Sequence, residues 1–486
     1  MAIQWSGLSP ELLVRLDRAA GEPLRAQLEG SLREAIRDGR LRGGERLPSS
    51  RELARELGVS RGMVQECYGQ LLAEGYLTSR TGSATRVADI GDRPTAAAPA
   101  AVGAAAAPTL SPAWQAPERG LIADFKSGVP DLASFPRSDW AWAVRQACGE
   151  VASADLSYGD PRGSAVLREV LAGYLRRVRA ADADPRQMII STGFAQGLNL
   201  VLRGLSRDGG VSCVALEDPG YGDPESDETV RAVVAMGLRA EFVPVDEEGL
   251  VVSALAASGA QAVVVTAAHQ SPTGVVLSAA RRHALLTWAQ RTGGYVIEDD
   301  YDSEFRYDKE PVGALQGLAP DQVFLVGTAS KALAPAVRLG WVLAPASLAG
   351  AVAAEKEMSD RGSCTLDQLA LATLLTSGRY DRHLRRMRSV YAGRRAALVE
   401  AFARHSPGIR LTGLAAGFHA VAPLPAGADE ASVTAAARQR RVGLHGIGEY
   451  WSRADAARPP ALVMGYGNVT ERAIDPAIAA VADLLS

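Results

Sequence analysis

The chain has 486 residues, of which 47% are hydrophobic and 22% charged, and its formal net charge is −3. This composition is typical of globular proteins, and the length is too great for one ordinary domain. A nearly balanced charge excludes a protein that attracts nucleic acid over its whole surface, so any DNA affinity must come from a local basic patch.

Targeting signals and cysteine spacing indicate where the protein works. No apolar stretch is long enough to predict a transmembrane helix, and the first residues lack the apolar core of a secretory signal. The cysteines are far apart and form no Cys-x-x-Cys pair, which argues against a zinc site or a disulfide framework. We therefore expect a cytoplasmic protein without a metal or a membrane partner. The four cysteines are Cys67, Cys148, Cys213 and Cys364.

Residues 10–88 are predicted to form a small domain of three helices and a hairpin. Apolar residues recur at helical spacing in the first helix, Ser49 and Ser60 precede the next two helices as capping residues, and Gly58 ends the second. Short strands then flank a turn around Gly82. The predicted elements are helices over 24–36, 49–57 and 61–74 and strands over 76–78 and 85–87.

The second and third helices have the spacing of a helix-turn-helix. The third helix would enter the major groove with its N-terminus first, where free N–H groups face phosphate. Arg51 and Arg61 would contact phosphate or guanine, Gln65 would reach a base, and the hairpin tip at Gly82 would lie over the backbone or the minor groove. The spacing alone is equally compatible with any compact helical trio whose arginines are solvated.

Residues 39–77, GRLRGGERLPSSRELARELGVSRGMVQECYGQLLAEGYL, resemble the GntR-type winged helix nearly from end to end. The resemblance implies a transcription regulator that binds a double-stranded DNA operator. It also implies that Arg51, Ser60, Arg61, Met63 and Gln65 stand where such domains touch DNA. Gly62 and Met63 depart from the small hydroxyl residues common there, so the recognised DNA sequence would differ.

Residues 89–120 differ in composition from both neighbouring segments. Alanine and proline alternate with few residues that could be buried. Interspersed prolines disfavour a helix, so we predict an extended, semi-rigid linker.

Residues 121–486 alternate apolar strands with amphipathic helices. This order predicts an α/β domain with a mainly parallel sheet covered by helices on both faces. The predicted strands are MIIST, VSCVALE, AVVVT, YVIEDD, VFLVGT and RLGWVLA.

Lys331 is a candidate for imine chemistry. It is one of four lysines among 52 basic residues, and arginine cannot form an imine. Thr328 and Ser330 come just before it and Arg338 follows, which supplies donors for a phosphate. The same pattern is compatible with an ordinary surface lysine.

Asp299 and Tyr301 end a predicted strand in IEDDYDSEFRY. The carboxyl edge of a parallel sheet is where ligands of α/β proteins bind. A carboxylate there could keep the pyridine nitrogen of pyridoxal phosphate protonated, and a phenol could face its ring oxygen. A solvated acidic loop or a magnesium site are the alternatives.

A third feature is the sequence STGFAQGLNL, a strand followed by a glycine turn and a helix. The free N–H groups of Gly193, Phe194 and Ala195 could bind a phosphate. Tyr221 follows another strand and could stack on a pyridine ring, although a tyrosine in such a loop is more often a packing residue.

Together these blocks resemble the fold-type I, class I and II aminotransferases and, more narrowly, the MocR/GabR-type regulators, in which a GntR winged helix precedes an aminotransferase-like domain. The blocks are YGDPRGSAVLREVLAGYLRRVRA, HQSPTG, RRHALL, EDDYDSEFRY and GTASKALAPAVRLGW. The resemblance covers essentially the whole chain. It implies the cofactor pyridoxal 5′-phosphate, a smaller C-terminal α/β subdomain and a homodimer, commonly head to tail.

The resemblance also implies a role for each candidate residue. Lys331 would be the Schiff-base lysine, Asp299 would face the ring nitrogen, Tyr301 the ring hydroxyl, and Tyr221 would stack on the ring. Tyr158 would reach the phosphate of the neighbouring subunit. The phosphate of the same subunit would be bound by Gly193, Phe194, Ala195, Thr328, Ser330 and Arg338.

The pattern departs from working aminotransferases on the substrate side. Ser271 replaces the asparagine before the Pro-Thr-Gly turn, and His269 nearby has no assigned role. Val463 and Asp223 stand where relatives place arginines for the substrate carboxylate, and losing such a pair costs a few kcal/mol. We therefore expect cofactor binding without efficient transamination.

These features predict a regulator that senses a small-molecule effector, which would be an amine, an amino acid or pyridoxal phosphate itself, and in the last case could control vitamin B6 synthesis. The alternative is an active aminotransferase with an appended DNA-binding domain. A cofactor-free scaffold used only for dimerisation is a third interpretation.

Overall fold

The computed structural model describes residues 14, 16–79, 84–89, 120–222, 227–307, 312–452 and 458–485. The chain divides into two compact units, Met1–Thr109 and Leu110–Ser486. Three predictions fall outside the described residues: the hairpin tip at Gly82, nearly all of the linker over 89–120, and Asp223.

The first unit contains three helices followed by two short strands. Ser49 and Ser60 cap the second and third helices, accepting hydrogen bonds from Glu52 N and Met63 N, and Gly58 ends the second helix in the left-handed conformation with φ 62°. These caps satisfy N–H groups that a helix leaves unpaired. The elements are α1 Leu24–Arg37, α2 Ser50–Leu57, α3 Arg61–Ala73, β1 Leu77–Thr78 and β2 Arg86–Val87, the strands being antiparallel.

Apolar side chains from all three helices fill the core of this unit. Leu28, Val64 and Leu71 have no exposed surface. The predicted inward position of Leu72 is only half-buried, and Cys67 is fully buried instead, because it lies one turn after Val64 on the same face of α3. The predicted winged helix is confirmed.

The second unit is built on an eight-stranded sheet, in the spatial order β4-β11-β10-β9-β8-β5-β6-β7. Strand β11 runs antiparallel to both of its neighbours, and β7 is antiparallel to β6; the other pairs are parallel. The strands of this sheet are β4 Met188–Ser191, β5 Cys213–Asp218, β6 Arg239–Asp246, β7 Gly249–Leu250, β8 Ala262–Val265, β9 Tyr295–Asp300, β10 Val323–Thr328 and β11 Gly340–Leu343. Strand β3 Ala123–Asp124 precedes them in the chain and lies outside this sheet.

Helices cover both faces of the sheet, as predicted. Successive strand residues alternate between two cores: Ile189 and Val326 pack on one face, and Ile190 and Leu325 on the other. The helices are α4 Arg137–Glu150, α5 Ala165–Arg179, α6 Phe194–Arg207, α7 Glu228–Ala235, α8 Val252–Ser258, α9 Ala279–Thr292, α10 Ala349–Asp360, α11 Thr365–Thr376, α12 Arg379–His405, α13 Glu430–Gln439 and α14 Glu471–Val481.

A smaller C-terminal α/β subdomain completes this unit. Strand β12 His419–Pro423 pairs with β14 Ala461–Gly465 in antiparallel register, and β13 Val442–Gly443 pairs with β3. The predicted fold class is therefore confirmed in both units. Across the described ranges no helix is long and apolar enough to cross a membrane, and the four cysteines are unpaired.

Candidate cofactor pocket and DNA-binding surface

The predicted cofactor residues meet at the carboxyl edge of the parallel sheet. Strands β4, β5, β8, β9 and β10 run in one direction, so their ends and following turns share one edge. Gly193 follows β4, Tyr221 follows β5, Asp299 lies near the end of β9, and Lys331 follows β10. Topology thus brings together residues up to 138 positions apart in the sequence.

Lys331 is half-buried at this edge. Its Nζ donates a hydrogen bond to the carbonyl oxygen of Gly128 at 2.5 Å. Burial lowers the pKa of the amine, and the carboxylates of Asp299 and Asp302 partly offset this effect. A lysine with a lowered pKa is uncharged more often than a surface lysine, which is the state needed for attack on an aldehyde.

One carboxylate oxygen of Asp299 accepts a hydrogen bond, and the other has no partner among the described residues. The hydroxyl of Tyr221 donates to its Oδ2 at 3.0 Å. Its Oδ1 is buried and has no hydrogen-bond partner among the described residues. Burial raises the pKa of this carboxyl well above its ordinary value, against the hydrogen bond from Tyr221. The unpartnered oxygen is suited to a ligand that brings an N–H donor, and a cationic donor would restore the carboxylate.

An anion cradle lies at the start of α6. Gly193 precedes this helix with φ 122°, and no side chain caps the first turn. A Cβ built on Gly193 would lie 3.7 Å from Nη1 of Arg338 and 3.9 Å from Oγ1 of Thr328. Thr328 Oγ1 is also 2.9 Å from Ser330 Oγ. A helix N-terminus, a guanidinium and two hydroxyls therefore converge, which suits a phosphate.

Tyr221 and Tyr301 are each held by contacts with neighbouring residues. The Tyr221 ring lies parallel to that of Phe194, with centroids 6.2 Å apart and planes at 6°. The sequence predicted a role only for the backbone N–H of Phe194, as a phosphate donor. The contact of its ring with Tyr221 was not predicted. Tyr301 donates from its hydroxyl to the His269 carbonyl at 3.0 Å.

Tyr158 stands apart from this group within one chain. Its side chain is 84% exposed, and the Arg361 guanidinium lies 5.7 Å from its ring centroid. It forms no hydrogen bond with the other predicted cofactor residues in the described structure. A cavity lined by Leu156, Tyr158 and Arg361, among others, surrounds it.

Val463 lies in apolar surroundings. Its side chain has no exposed surface and packs with Val421, Ile447, Ala461 and Tyr450. The other position considered for a substrate arginine, Asp223, is outside the described residues. The β14 position predicted to correspond to the substrate arginine therefore presents no charge.

A buried polar network around Glu217 is a part of the site that the sequence patterns did not predict. This carboxylate accepts hydrogen bonds from the Thr266 hydroxyl at 2.5 Å and from Thr266 N at 3.1 Å. Gln270 Nε2 donates to it at 3.3 Å and to the Pro219 carbonyl at 2.8 Å. The network thereby ties the turn before Tyr221 to the turn after β8. Burial raises the pKa of Glu217 to about 7 despite these hydrogen bonds.

Replacing Glu217 by Gln is expected to change how stability depends on pH. The folded-state pKa of about 7 lies above the ordinary value of 4.5, so the folded protein retains a proton that the unfolded chain releases between these values. The free energy of unfolding therefore falls as pH rises through this window. Glu217→Gln should remove that loss, on the order of a few kcal/mol.

Thermal unfolding of both proteins at about pH 5 and about pH 8 checks this, with exposed Glu247→Gln as the matched control. At the higher pH, the Glu217→Gln protein should be more stable against thermal unfolding than the unmodified protein. An identical pH dependence in the two proteins would contradict the raised pKa.

The third helix of the first unit presents an exposed polar surface. Arg61 and Gln65 lie exposed on α3, Ser60 is exposed before it, and Met63 is half-buried. Arg51 is exposed on α2. Neither Arg51 nor Arg61 forms an ion pair within the described part of this unit. Arg46 was not predicted as a DNA contact, but it is exposed, and its backbone forms an isolated antiparallel β-bridge with Arg86 on β2.

The acidic residues Glu66, on α3, and Glu74, directly after α3, form ion pairs with α1. Glu66 pairs with Arg25 at 3.1 Å and Glu74 with Arg33 at 2.8 Å, both on α1. These ion pairs offset negative charge on the side of α3 that faces α1. The N-terminal end of α3 thus combines an exposed arginine with the positive end of the helix dipole, and this combination attracts phosphate.

Comparison with known families agrees with both units. The profile of the family described as bacterial regulatory proteins, gntR family, matches residues 24–87. The profile of aminotransferase class I and II matches residues 124–444. A helix-turn-helix regulator fused to an aminotransferase-like domain is the class of protein that this combination defines.

Similar curated proteins carry the same combination along most of their length. The HTH-type pyridoxine biosynthesis transcriptional regulator PdxR of Corynebacterium glutamicum is 33% identical over 462 residues, 95% of each chain. The probable rhizopine catabolism regulatory protein MocR of Rhizobium meliloti is 34% identical, over 80% of this chain and 79% of that protein. The chain therefore belongs to the MocR-type family of HTH transcription regulators with an aminotransferase-like domain.

Solved structures resemble the second unit. A multiple substrate aminotransferase from Thermococcus profundus matches with a TM-score of 0.68 and 23% identity, covering 76% of this chain and 92% of that one. An archaeal alanine:glyoxylate aminotransferase matches with a TM-score of 0.66 and 25% identity, covering 75% and 91%. The fold is that of the aminotransferases.

Proposed function

We propose that this transcription regulator binds pyridoxal 5′-phosphate in the aminotransferase-like domain and uses it to sense a small molecule. The observation that carries the proposal is the unpartnered buried oxygen of Asp299, on the same sheet edge as Lys331 and the Gly193 cradle. When bound, the cofactor would supply an aldehyde that forms a Schiff base with an amine and a pyridinium ring that withdraws electrons.

Each residue of the edge has a proposed task. The amine of Lys331 would hold the cofactor by condensing with its aldehyde, with loss of water, and Asp299 Oδ1 would accept a hydrogen bond from the pyridine N–H. Tyr221, held by Phe194, packs on the ring, and Tyr301 faces the ring oxygen. The phosphate is bound by Gly193, Phe194, Ala195, Thr328, Ser330 and Arg338.

Tyr158 supports the proposal of a head-to-tail homodimer. An exposed aromatic side chain on the rim of a cavity is suited to a partner surface. In the proposed dimer its hydroxyl contacts the phosphate in the neighbouring subunit, so each pocket would be completed by the other chain.

The effector belongs to the amines, the amino acids or pyridoxal phosphate itself. Val463, at the position predicted to correspond to the substrate arginine, packs among apolar side chains and offers no bidentate partner for an α-carboxylate, which disfavours efficient transamination. Pyridoxal phosphate as its own effector is favoured by the relative named a pyridoxine biosynthesis regulator. Control of vitamin B6 synthesis would follow.

The DNA-binding surface is proposed to comprise Arg51, Ser60, Arg61, Met63 and Gln65. A ligand that prefers one of two conformations of the aminotransferase-like domain shifts the equilibrium between them, and only by its difference in affinity for the two. The effector would thereby alter operator affinity.

A gel-shift titration of the DNA upstream of the protein's own coding sequence tests this function. It is run without cofactor, with pyridoxal phosphate, and with candidate amines and amino acids. We expect a specific shift whose midpoint changes with pyridoxal phosphate. Absence of any specific shift would overturn the proposed regulatory function. Rapid accumulation of a keto acid when the protein is incubated with an amino acid would favour the alternative, an active aminotransferase.

A further inference from the structure

Three buried side chains with metal-ligating atoms meet beside Tyr301. They are His269 in the turn after β8, Asp302 just after β9, and His419 at the start of β12. None of the three is more than 1% exposed. One ring nitrogen from each histidine and a carboxylate oxygen all lie within 4.8 Å of one another. The fold thus brings two imidazoles and a carboxylate together from three separate elements.

His419 carries a buried nitrogen that no described residue contacts by a hydrogen bond. This atom is Nε2. The ring also forms a hydrogen bond with the backbone of Pro272, and because proline has no N–H, the partner is a carbonyl oxygen. In the neutral ring the nitrogen bonded to that carbonyl carries the proton, so Nε2 keeps its lone pair. Metal-bound histidines are commonly oriented by such a contact at their other nitrogen.

His269 and Asp302 supply two further ligand atoms that already lie side by side. Nδ1 of His269 is 2.8 Å from Oδ2 of Asp302. Two atoms that bind one zinc ion at about 2.0–2.1 Å in a tetrahedral arrangement lie about 3.3 Å apart. The ion would therefore replace the proton that Nδ1 and Oδ2 share, after an opening of roughly half an ångström.

The hydroxyl of Tyr301 stands at the same nitrogen. Its oxygen lies 3.2 Å from His269 Nδ1, while its proton is donated to the His269 carbonyl at 3.0 Å. The phenol oxygen is therefore close enough to complete the coordination of an ion bound at Nδ1, as a water molecule otherwise would.

The two imidazole rings have a separation that suits a shared ion. Their centroids are 4.5 Å apart and their planes are inclined by 39°. Two imidazoles that bind one ion at about 2.1 Å, with an angle between about 90° and about 110°, have centroids about 4.5 to 5.2 Å apart. The observed separation is at the lower end of this range.

Gly417 leaves space beside these ligand atoms. Its φ is 67°, and a Cβ built on it would overlap Asp302 Oδ2 and lie 2.5 Å from His269 Nδ1. A side chain at this position would press on both ligand atoms and occupy the space that an ion needs, whereas glycine does not.

We propose that His269, Asp302 and His419 form a binding site for a divalent transition-metal ion, with Zn²⁺ as the best fit. Zinc binds imidazole and carboxylate ligands, whereas calcium and magnesium prefer oxygen ligands. The ion would join the sheet to the C-terminal subdomain and fix the residues on either side of the Tyr301 hydroxyl. The cysteine spacing gave no sign of this site, because its ligands are of other types and meet only in the fold. The inference is independent of pyridoxal phosphate binding.

The metal content of full-length, cofactor-free protein tests the proposal. The protein is freed of metal with a chelator, equilibrated with Zn²⁺, desalted and subjected to elemental analysis. We expect one zinc ion per chain in the unmodified protein. In His419→Gln the contact between His269 and Asp302 remains, but a direct ligand is lost, so zinc affinity should fall by more than about 100-fold.

His445→Gln is the matched control. His445 also contacts an aspartate, Asp124, at 2.8 Å, but within the described residues it belongs to no group of three potential ligands. This variant should retain the full zinc content. Zinc should also raise the midpoint temperature of unfolding of the unmodified protein and of His445→Gln, but not that of His419→Gln.

A second measurement needs no variant. The X-ray absorption spectrum of the zinc-loaded, unmodified protein should show the scattering of two imidazole rings together with oxygen ligands. A shell of oxygen atoms alone would overturn the site. So would a failure of the unmodified protein to retain zinc after desalting, and equal zinc retention in folded His419→Gln would mean an adventitious ion only. Because no cofactor is present, each of these results leaves the proposed binding of pyridoxal phosphate unaffected.

Discussion

Replacing Lys331 by Ala is expected to abolish the visible absorption band of protein incubated with pyridoxal phosphate. The side chain removed carries the amine that the described structure places at the sheet edge beside Asp299, and burial keeps it available by lowering its pKa. Without the covalent link, retention depends on the phosphate cradle and the ring contacts. Affinity should fall by at least about 100-fold, equivalent to about 2.8 kcal/mol.

Absorption spectra and borohydride trapping followed by peptide mapping measure this effect. The trapped label should be on Lys331, not on Lys126, Lys309 or Lys356. Lys331→Arg should behave like Lys331→Ala because arginine keeps the charge but forms no imine. Lys126→Ala, which removes an exposed lysine, should retain the band. A band that survives in Lys331→Ala would refute the assignment of this lysine.

Much of the pocket could be predicted because the sheet topology determines which strand ends lie close together. Strands rich in Val, Ile and Leu are recognisable in the sequence, and parallel strands in one sheet bring their ends to one edge. Lys331, Asp299, Tyr221 and Gly193 each follow or end such a strand. Their convergence follows from the order of the elements without any knowledge of side-chain contacts.

Strands β6 and β12 were not predicted from the sequence, for physical reasons. Strand β6 reads RAEFVPVD, in which polar residues and a proline interrupt the apolar pattern, and it lies near the edge of the sheet. Strand β12 has only five residues, HAVAP, and its pairing with β14 joins segments about forty residues apart. Neither has the continuous apolar run of a central strand.

Polar networks were the least predictable part of the site. Glu217 depends on Thr266 and Gln270, and His269 depends on Asp302, contacts that span 33 to 53 residues. A buried charge is stable only if its partners are present, and the sequence does not state which side chains meet. The strand-end position of Glu217 was a usable signal, and the His-Gln-Ser-Pro block was a second.

Replacing Arg61 by Ala is expected to weaken operator binding by about 10- to 100-fold, the effect of losing one good base contact, and to relax discrimination among operator sequences. Arg61 is the first residue of α3, it is exposed, and Ser60 fixes its position by capping the helix. Arg51→Ala should weaken binding to all sequences alike, because Arg51 would contact phosphate.

Salt dependence distinguishes the two arginines. Loss of a phosphate contact should reduce the slope of log affinity against log salt by about 1, and this is expected for Arg51→Ala. Arg61→Ala should alter sequence preference more than the slope if it reads a guanine edge. Arg207→Ala, an exposed arginine on α6 paired with Glu355, is the control and should change neither quantity. Unaltered operator affinity in both Arg51→Ala and Arg61→Ala would refute this surface, because the winged helix would then bind DNA through other residues.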